Sequence, residues 1–195
     1  VSRSLEGQAR RRALRLAALA LAACGGARDG TDADQGDGAV PEYRLSRDGG
    51  IATNADLRGE ALPDVGLVTS TGVAVRTADL RGRPVLLNVW YSTCQPCRRE
   101  LPLLADAHRR LGAAVDVVGI NPYDDAATAA RFALEYGVEY DTWFDRDGAF
   151  LRATGIATAP VTLAVDADGT VVDQAAGELD AARLARLLAA LGASS

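Results

Sequence analysis

The chain predicts an α/β fold in which a mixed central sheet is flanked by helices and preceded by an N-terminal β-hairpin. Three observations carry that prediction. Between residues 61 and 195, strand-length apolar runs alternate with runs of helical period. The alternation ends in a second hairpin and an amphipathic closing helix. A short motif, Cys94-Gln95-Pro96-Cys97, stands where one apolar strand gives way to a helix.

The elements follow in order. Residues 65–68 and 73–75 flank Thr69-Ser70-Thr71-Gly72 and read as the first hairpin. Residues 77–84 form a short connector. Residues 85–90 are apolar on both faces apart from Asn88, the signature of a buried strand. A helix begins around Gln95, with Pro96 tolerated in its first turn, and Pro102 is expected to kink it. Residues 115–120 form a second central strand. Residues 126–136 form a helix stopped by Gly137, and 141–144 a short strand. After the turn Asp145-Arg146-Asp147-Gly148, residues 149–154 form a short helix. Residues 161–165 and 170–173 are joined by Asp166-Ala167-Asp168-Gly169 as the second hairpin. Residues 179–191 close the domain as a helix.

Residues 1–23 read as a signal peptide. Arg10-Arg11-Arg12-Ala13-Leu14-Arg15 is a basic n-region, and residues 16–23 are a short apolar stretch. Its end, Leu21-Ala22-Ala23-Cys24-Gly25, resembles the lipobox of bacterial lipoproteins, in which the cysteine thiol carries the lipid. Three cysteines in an exported chain leave one unpaired, and lipidation of Cys24 accounts for it. The alternative is an ordinary signal peptide with a chance cysteine. Residues 24–60 are rich in Gly and Asp and poor in large apolar groups, so they are expected to act as a flexible tether. A coil of that length reaches roughly 30–35 Å. The net charge of -5 argues against a nucleic-acid partner. No run of about 20 apolar residues is present to span a membrane.

Two thiols three residues apart at the start of a helix suit dithiol–disulfide exchange. The helix N-terminus carries partial positive charge and free N–H groups, which stabilise a thiolate. The first cysteine then attacks, and the second resolves the mixed disulfide. A structural disulfide or half a zinc site are the alternatives. Zinc normally needs a second ligand pair, and only Cys24 and His108 remain to supply it. No metal or other cofactor is therefore expected beyond the redox-active disulfide itself. His108 is expected on the helix surface.

The stretch from about 60 to 192 resembles the thioredoxin superfamily, and within it the TlpA/ResA-like membrane-anchored thiol–disulfide oxidoreductases. The resemblance rests on Gly82-Arg83-Pro84-Val85-Leu86-Leu87-Asn88-Val89-Trp90, Cys94-Gln95-Pro96-Cys97, Glu100-Leu101-Pro102, Thr158-Ala159-Pro160 and Asp166-Ala167-Asp168-Gly169. It implies a thioredoxin-like fold with Cys94 as nucleophile and Cys97 as resolving thiol. It also implies that Pro160 is a cis-proline facing the dithiol, with Ala159 and Trp90 contributing to substrate binding. Glu100 would tune the thiols and exchange protons with them. The chain departs from the family at Thr93, where a Trp is usual.

The resulting expectation is an extracytoplasmic, lipid-anchored oxidoreductase acting on envelope proteins with cysteine pairs. A membrane thiol–disulfide donor or acceptor would serve it, and reduction in cytochrome c biogenesis is the family's best-known task. Oxidative folding is the rival direction. A peroxiredoxin-type peroxidase would want Thr three residues before its cysteine, where Tyr91 stands. A non-enzymatic lipoprotein with a structural disulfide is the remaining alternative.

Overall fold

The computed structural model describes residues 53–193. The signal peptide, Cys24 and residues 25–52 of the expected tether lie outside the described residues. The elements run β1 (Gly66–Thr69), β2 (Ala74–Arg76), β3 (Val85–Val89), α1 (Gln95–Leu111), β4 (Asp116–Asn121), α2 (Ala126–Glu135), β5 (Thr142–Phe144), α3 (Ala149–Thr154), β6 (Val161–Val165), β7 (Val171–Ala176) and α4 (Ala181–Ala190). They form one seven-stranded sheet in the order β2-β1-β5-β4-β3-β6-β7. β3, β4 and β5 are parallel, whereas β6 and β7 on one side and β1 and β2 on the other are antiparallel. The sheet is thus mixed, with the N-terminal hairpin added at its edge.

Every residue of β3 is buried, as its two-sided apolar pattern requires. Leu86 and Trp90 point to one face, where Leu101, Leu104 and Ala107 of α1, Phe132 of α2 and Leu184, Leu187 and Leu188 of α4 complete a core. Leu87 and Val89 point to the other face, against Phe150 and Ile156 around α3 and against Leu57, Leu62 and Leu67. α1 stays one helix through Pro102, whose side is exposed, and ends at Gly112 in a positive-φ conformation. The kink expected at Pro102 does not divide the element.

The folded part begins earlier than residue 61. Leu57 is buried, and its N–H donates to Gln174 Oε1 at 2.9 Å, while Gln174 Nε2 donates to the Ala55 carbonyl at 2.8 Å. Asn54 Oδ1 accepts from the N–H groups of Ala157 and Thr158 at 2.8 and 2.9 Å. One buried glutamine thus holds a segment whose own composition gave no sign of packing, so residues 54–60 belong to the domain rather than the tether.

Candidate active site

At the end of β3 the chain turns sharply, with the Cys94 N–H donating to the Tyr91 carbonyl at 3.1 Å. Cys94 then caps α1. Its backbone is extended, and its Sγ accepts from the Cys97 N–H at 3.3 Å, so the sulfur occupies the place of a helix-capping oxygen. The two cysteines form a disulfide with Cα atoms 5.3 Å apart. Cys94 is 4% exposed and Cys97 is 0% exposed, which leaves Cys94 as the sulfur a partner can approach. On reduction, free N–H groups and partial positive charge at the start of α1 would stabilise a thiolate at Cys94.

Glu100 lies three residues beyond Cys97 and is only 1% exposed. Its Oε1 accepts from Asn88 Nδ2 and its Oε2 from the Leu179 N–H, both at 2.7 Å. Burial dominates these two contacts and pushes its carboxyl up to about 7. Asn88 also donates to Thr162 Oγ1 at 3.1 Å, so one polar side chain on β3 links the carboxyl to β6. Asn88 stood out in the sequence as the single polar residue in an apolar strand, and the structure gives its reason. Tyr140 packs nearby with its phenol fully buried; burial first, then the charge of Glu100, raises its pKa.

The Ala159–Pro160 bond is cis. Pro160 is buried and immediately precedes Val161, which pairs with Val89 across the sheet. The register therefore brings Pro160 to the end of β3 from which the cysteine turn departs. Ala159 is half-buried and packs against the cluster that contains both cysteines.

Two sequence expectations change. Trp90 was expected to contribute to substrate binding, but it is 0% exposed and stacks on Phe132 with ring centroids 5.6 Å apart. Its backbone continues the buried face of β3, so its ring fills the core beneath the site. His108 is half-buried rather than on the surface, with its ring edge-to-face against Tyr140 at 5.8 Å. Thr93 is exposed, as the missing aromatic cover implies.

A sulfur capping a helix N-terminus, a buried second sulfur, a buried carboxyl of raised pKa one turn on and a cis-proline loop alongside can carry thiol–disulfide exchange. The Redoxin family model matches residues 57–191. The chain is 36% identical over 124 residues to the thiol:disulfide interchange protein DsbE of Pseudomonas fluorescens biotype C, covering 63% of this chain and 68% of that one. It is 28% identical over 122 residues to the thiol-disulfide oxidoreductase ResA of Bacillus subtilis (strain 168), covering 62% and 68%. A solved structure of a secreted Mycobacterium tuberculosis disulfide oxidoreductase homologous to E. coli DsbE superposes with a TM-score of 0.57 at 27% identity, covering 65% of this chain and 96% of that one. With its Cys94–Cys97 pair set in a thioredoxin-like fold, the chain belongs to the Redoxin family as a TlpA/ResA-like thiol–disulfide oxidoreductase.

Proposed function

We propose that the protein is a lipid-anchored, extracytoplasmic reductant of disulfides in envelope proteins with cysteine pairs, apocytochromes awaiting haem attachment among them. The observation that carries the direction is the buried carboxyl of Glu100, three residues beyond the resolving cysteine on α1. Once ionised, as the pH passes about 7, that carboxylate in a dry site disfavours a thiolate nearby, and a dithiol whose reduced form is not stabilised is the better electron donor. The motif itself adds no compensating cation, since Gln95 and Pro96 lie between the cysteines. The secreted relative and the lipobox-like end at Cys24 support placement outside the cytoplasm.

In the reductive cycle the Cys94 thiolate attacks a substrate disulfide, forms a mixed disulfide and releases one substrate thiolate. The Cys97 thiol gives its proton to the ionised fraction of Glu100 and attacks the Cys94 sulfur. The second substrate sulfur leaves as a thiolate and takes up a proton from solvent, and two electrons have passed from the dithiol to the substrate. A membrane thiol–disulfide donor then restores the dithiol. Trp90, fully buried, is read as core beneath the site; half-buried Ala159 offers the backbone to which an extended peptide could add, while buried Pro160 has its carbonyl taken by the Gly177 N–H.

Equilibration with glutathione tests the direction. A reductant gives a potential at about -250 mV or below, whereas a value near -120 mV would assign oxidative folding instead. Membrane attachment is tested separately, because Cys24→Ala should release the protein from membranes and retention would contradict the anchor.

A further inference from the structure

We infer that Asp124, on the loop between β4 and α2, is a positioning residue for the nucleophile. It clamps the turn that carries Cys94. Its Oδ2 accepts from the Ser92 N–H at 2.7 Å, and its Oδ1 accepts from the Ser92 hydroxyl at 2.7 Å. From the other side, Arg98 Nε donates to the Ser92 carbonyl at 3.3 Å, while its guanidinium lies over the Phe132 ring at 5.1 Å. Every polar group of Ser92 is thus engaged, two residues before the reacting sulfur.

Asp124 is itself held in place. The fully buried Asn121 donates Nδ2 to Asp124 Oδ2 at 2.8 Å, and its Oδ1 accepts from the Tyr123 and Asp124 N–H groups at 3.2 and 2.9 Å. Arg146 donates to the Asp124 carbonyl at 2.7 Å. The same loop sets the Tyr123 ring edge-on to Tyr91 at 5.0 Å, at the start of the cysteine turn. The β4–α2 loop is therefore a rigid cradle for a turn that has no regular secondary structure of its own. A thiolate gains from a helix terminus only within its first turn, so the turn must hold Cys94 at the mouth of α1.

The inference rests on Cys94 being the nucleophile, and its test separates that assignment from the clamp. Asp124→Asn and Asp124→Ala remove the same charge. In Asp124→Asn the amide oxygen can take the two N–H donors and the amide nitrogen can donate to the Ser92 oxygen, so the clamp survives. In Asp124→Ala it is lost. The reduced full chain, carrying Cys24→Ala in every variant so that Cys94 and Cys97 are its two thiols, is mixed with 5,5′-dithiobis(2-nitrobenzoate): the Cys94 thiolate forms a mixed disulfide with release of one coloured thiolate, and Cys97 then releases the second. Under conditions where denaturant titration shows both variants folded, Asp124→Ala should react about tenfold more slowly than Asp124→Asn. Adding Ser92→Ala to Asp124→Ala should slow it by less than about twofold, because the two act as one unit. Equal rates for the two Asp124 variants, or a further tenfold loss on adding Ser92→Ala, would overturn the clamp. A Cys94→Ser protein that reacts as fast as the unsubstituted chain would instead remove the nucleophile assignment.

Discussion

Replacing Glu100 with Gln should abolish a pH dependence of stability that the buried carboxyl creates. In the folded protein the carboxyl sits near 7 against an ordinary 4.5, chiefly because it is buried. Between those values the folded chain holds a proton that the unfolded chain has released, so stability falls as the pH rises through that window and levels off above it. At about 1.4 kcal/mol for each pH unit, the loss is about 3 kcal/mol. Gln fits the site without titrating. Its carbonyl can accept from the Leu179 N–H, and its amide can donate to Asn88 Oδ1, which has no partner among the described residues. The Asn88 amide would turn over to do this, and the same oxygen could then accept from Thr162. Urea unfolding of the oxidised protein and of Glu100→Gln, compared at about pH 4 and about pH 8, isolates the effect because all other titrations cancel. The variant should gain about 3 kcal/mol relative to the parent on going from acid to alkaline conditions. Parallel pH profiles would show that Glu100 has the same pKa in the folded and unfolded chains and would refute the reasoning.

Other outcomes follow from the same geometry. A Cβ at Gly119 would lie 2.5 Å from Trp90 Nε1, so Gly119→Ala should cost about 1–3 kcal/mol by denaturant titration; an unchanged midpoint would mean the Trp90 ring is free to shift. A chain beginning at residue 61 loses Leu57 and the Gln174 contacts, and should melt below one beginning at residue 53, by several degrees for a loss of about 1–3 kcal/mol. Cys97→Ser leaves Cys94 without its resolving thiol, so mixed disulfides with natural partners should accumulate on non-reducing gels. Their absence would count against Cys94 as the attacking sulfur.

Much of this architecture was written in local patterns. The unbroken apolar run of β3 announced a central strand, and Cys94 followed by Pro96 announced the helix start that caps itself with a thiol. The departures share a physical cause. Residues 54–60 read as tether because what fixes them is Gln174, more than a hundred positions away, rather than anything in their own composition. The apolar run already placed Trp90 in a buried strand, and the substrate-binding role came only from the family resemblance, which does not say that its ring stays beneath the turn. Asn88 was visible as an anomaly, but its partner Glu100 is twelve residues on and across a layer. The contact of Asp124 with Ser92 spans 32 residues and two elements, and no spacing rule reveals it.

Catalysis by the Cys94–Cys97 pair is tested most directly by dithiothreitol-driven reduction of insulin, followed by turbidity. The unsubstituted protein should shorten the lag before precipitation, and Cys94→Ser should return it to that of dithiothreitol alone. If Cys94→Ser accelerated the reaction as well as the unsubstituted chain, the disulfide would be a structural bond and the exchange chemistry assigned to it would be wrong.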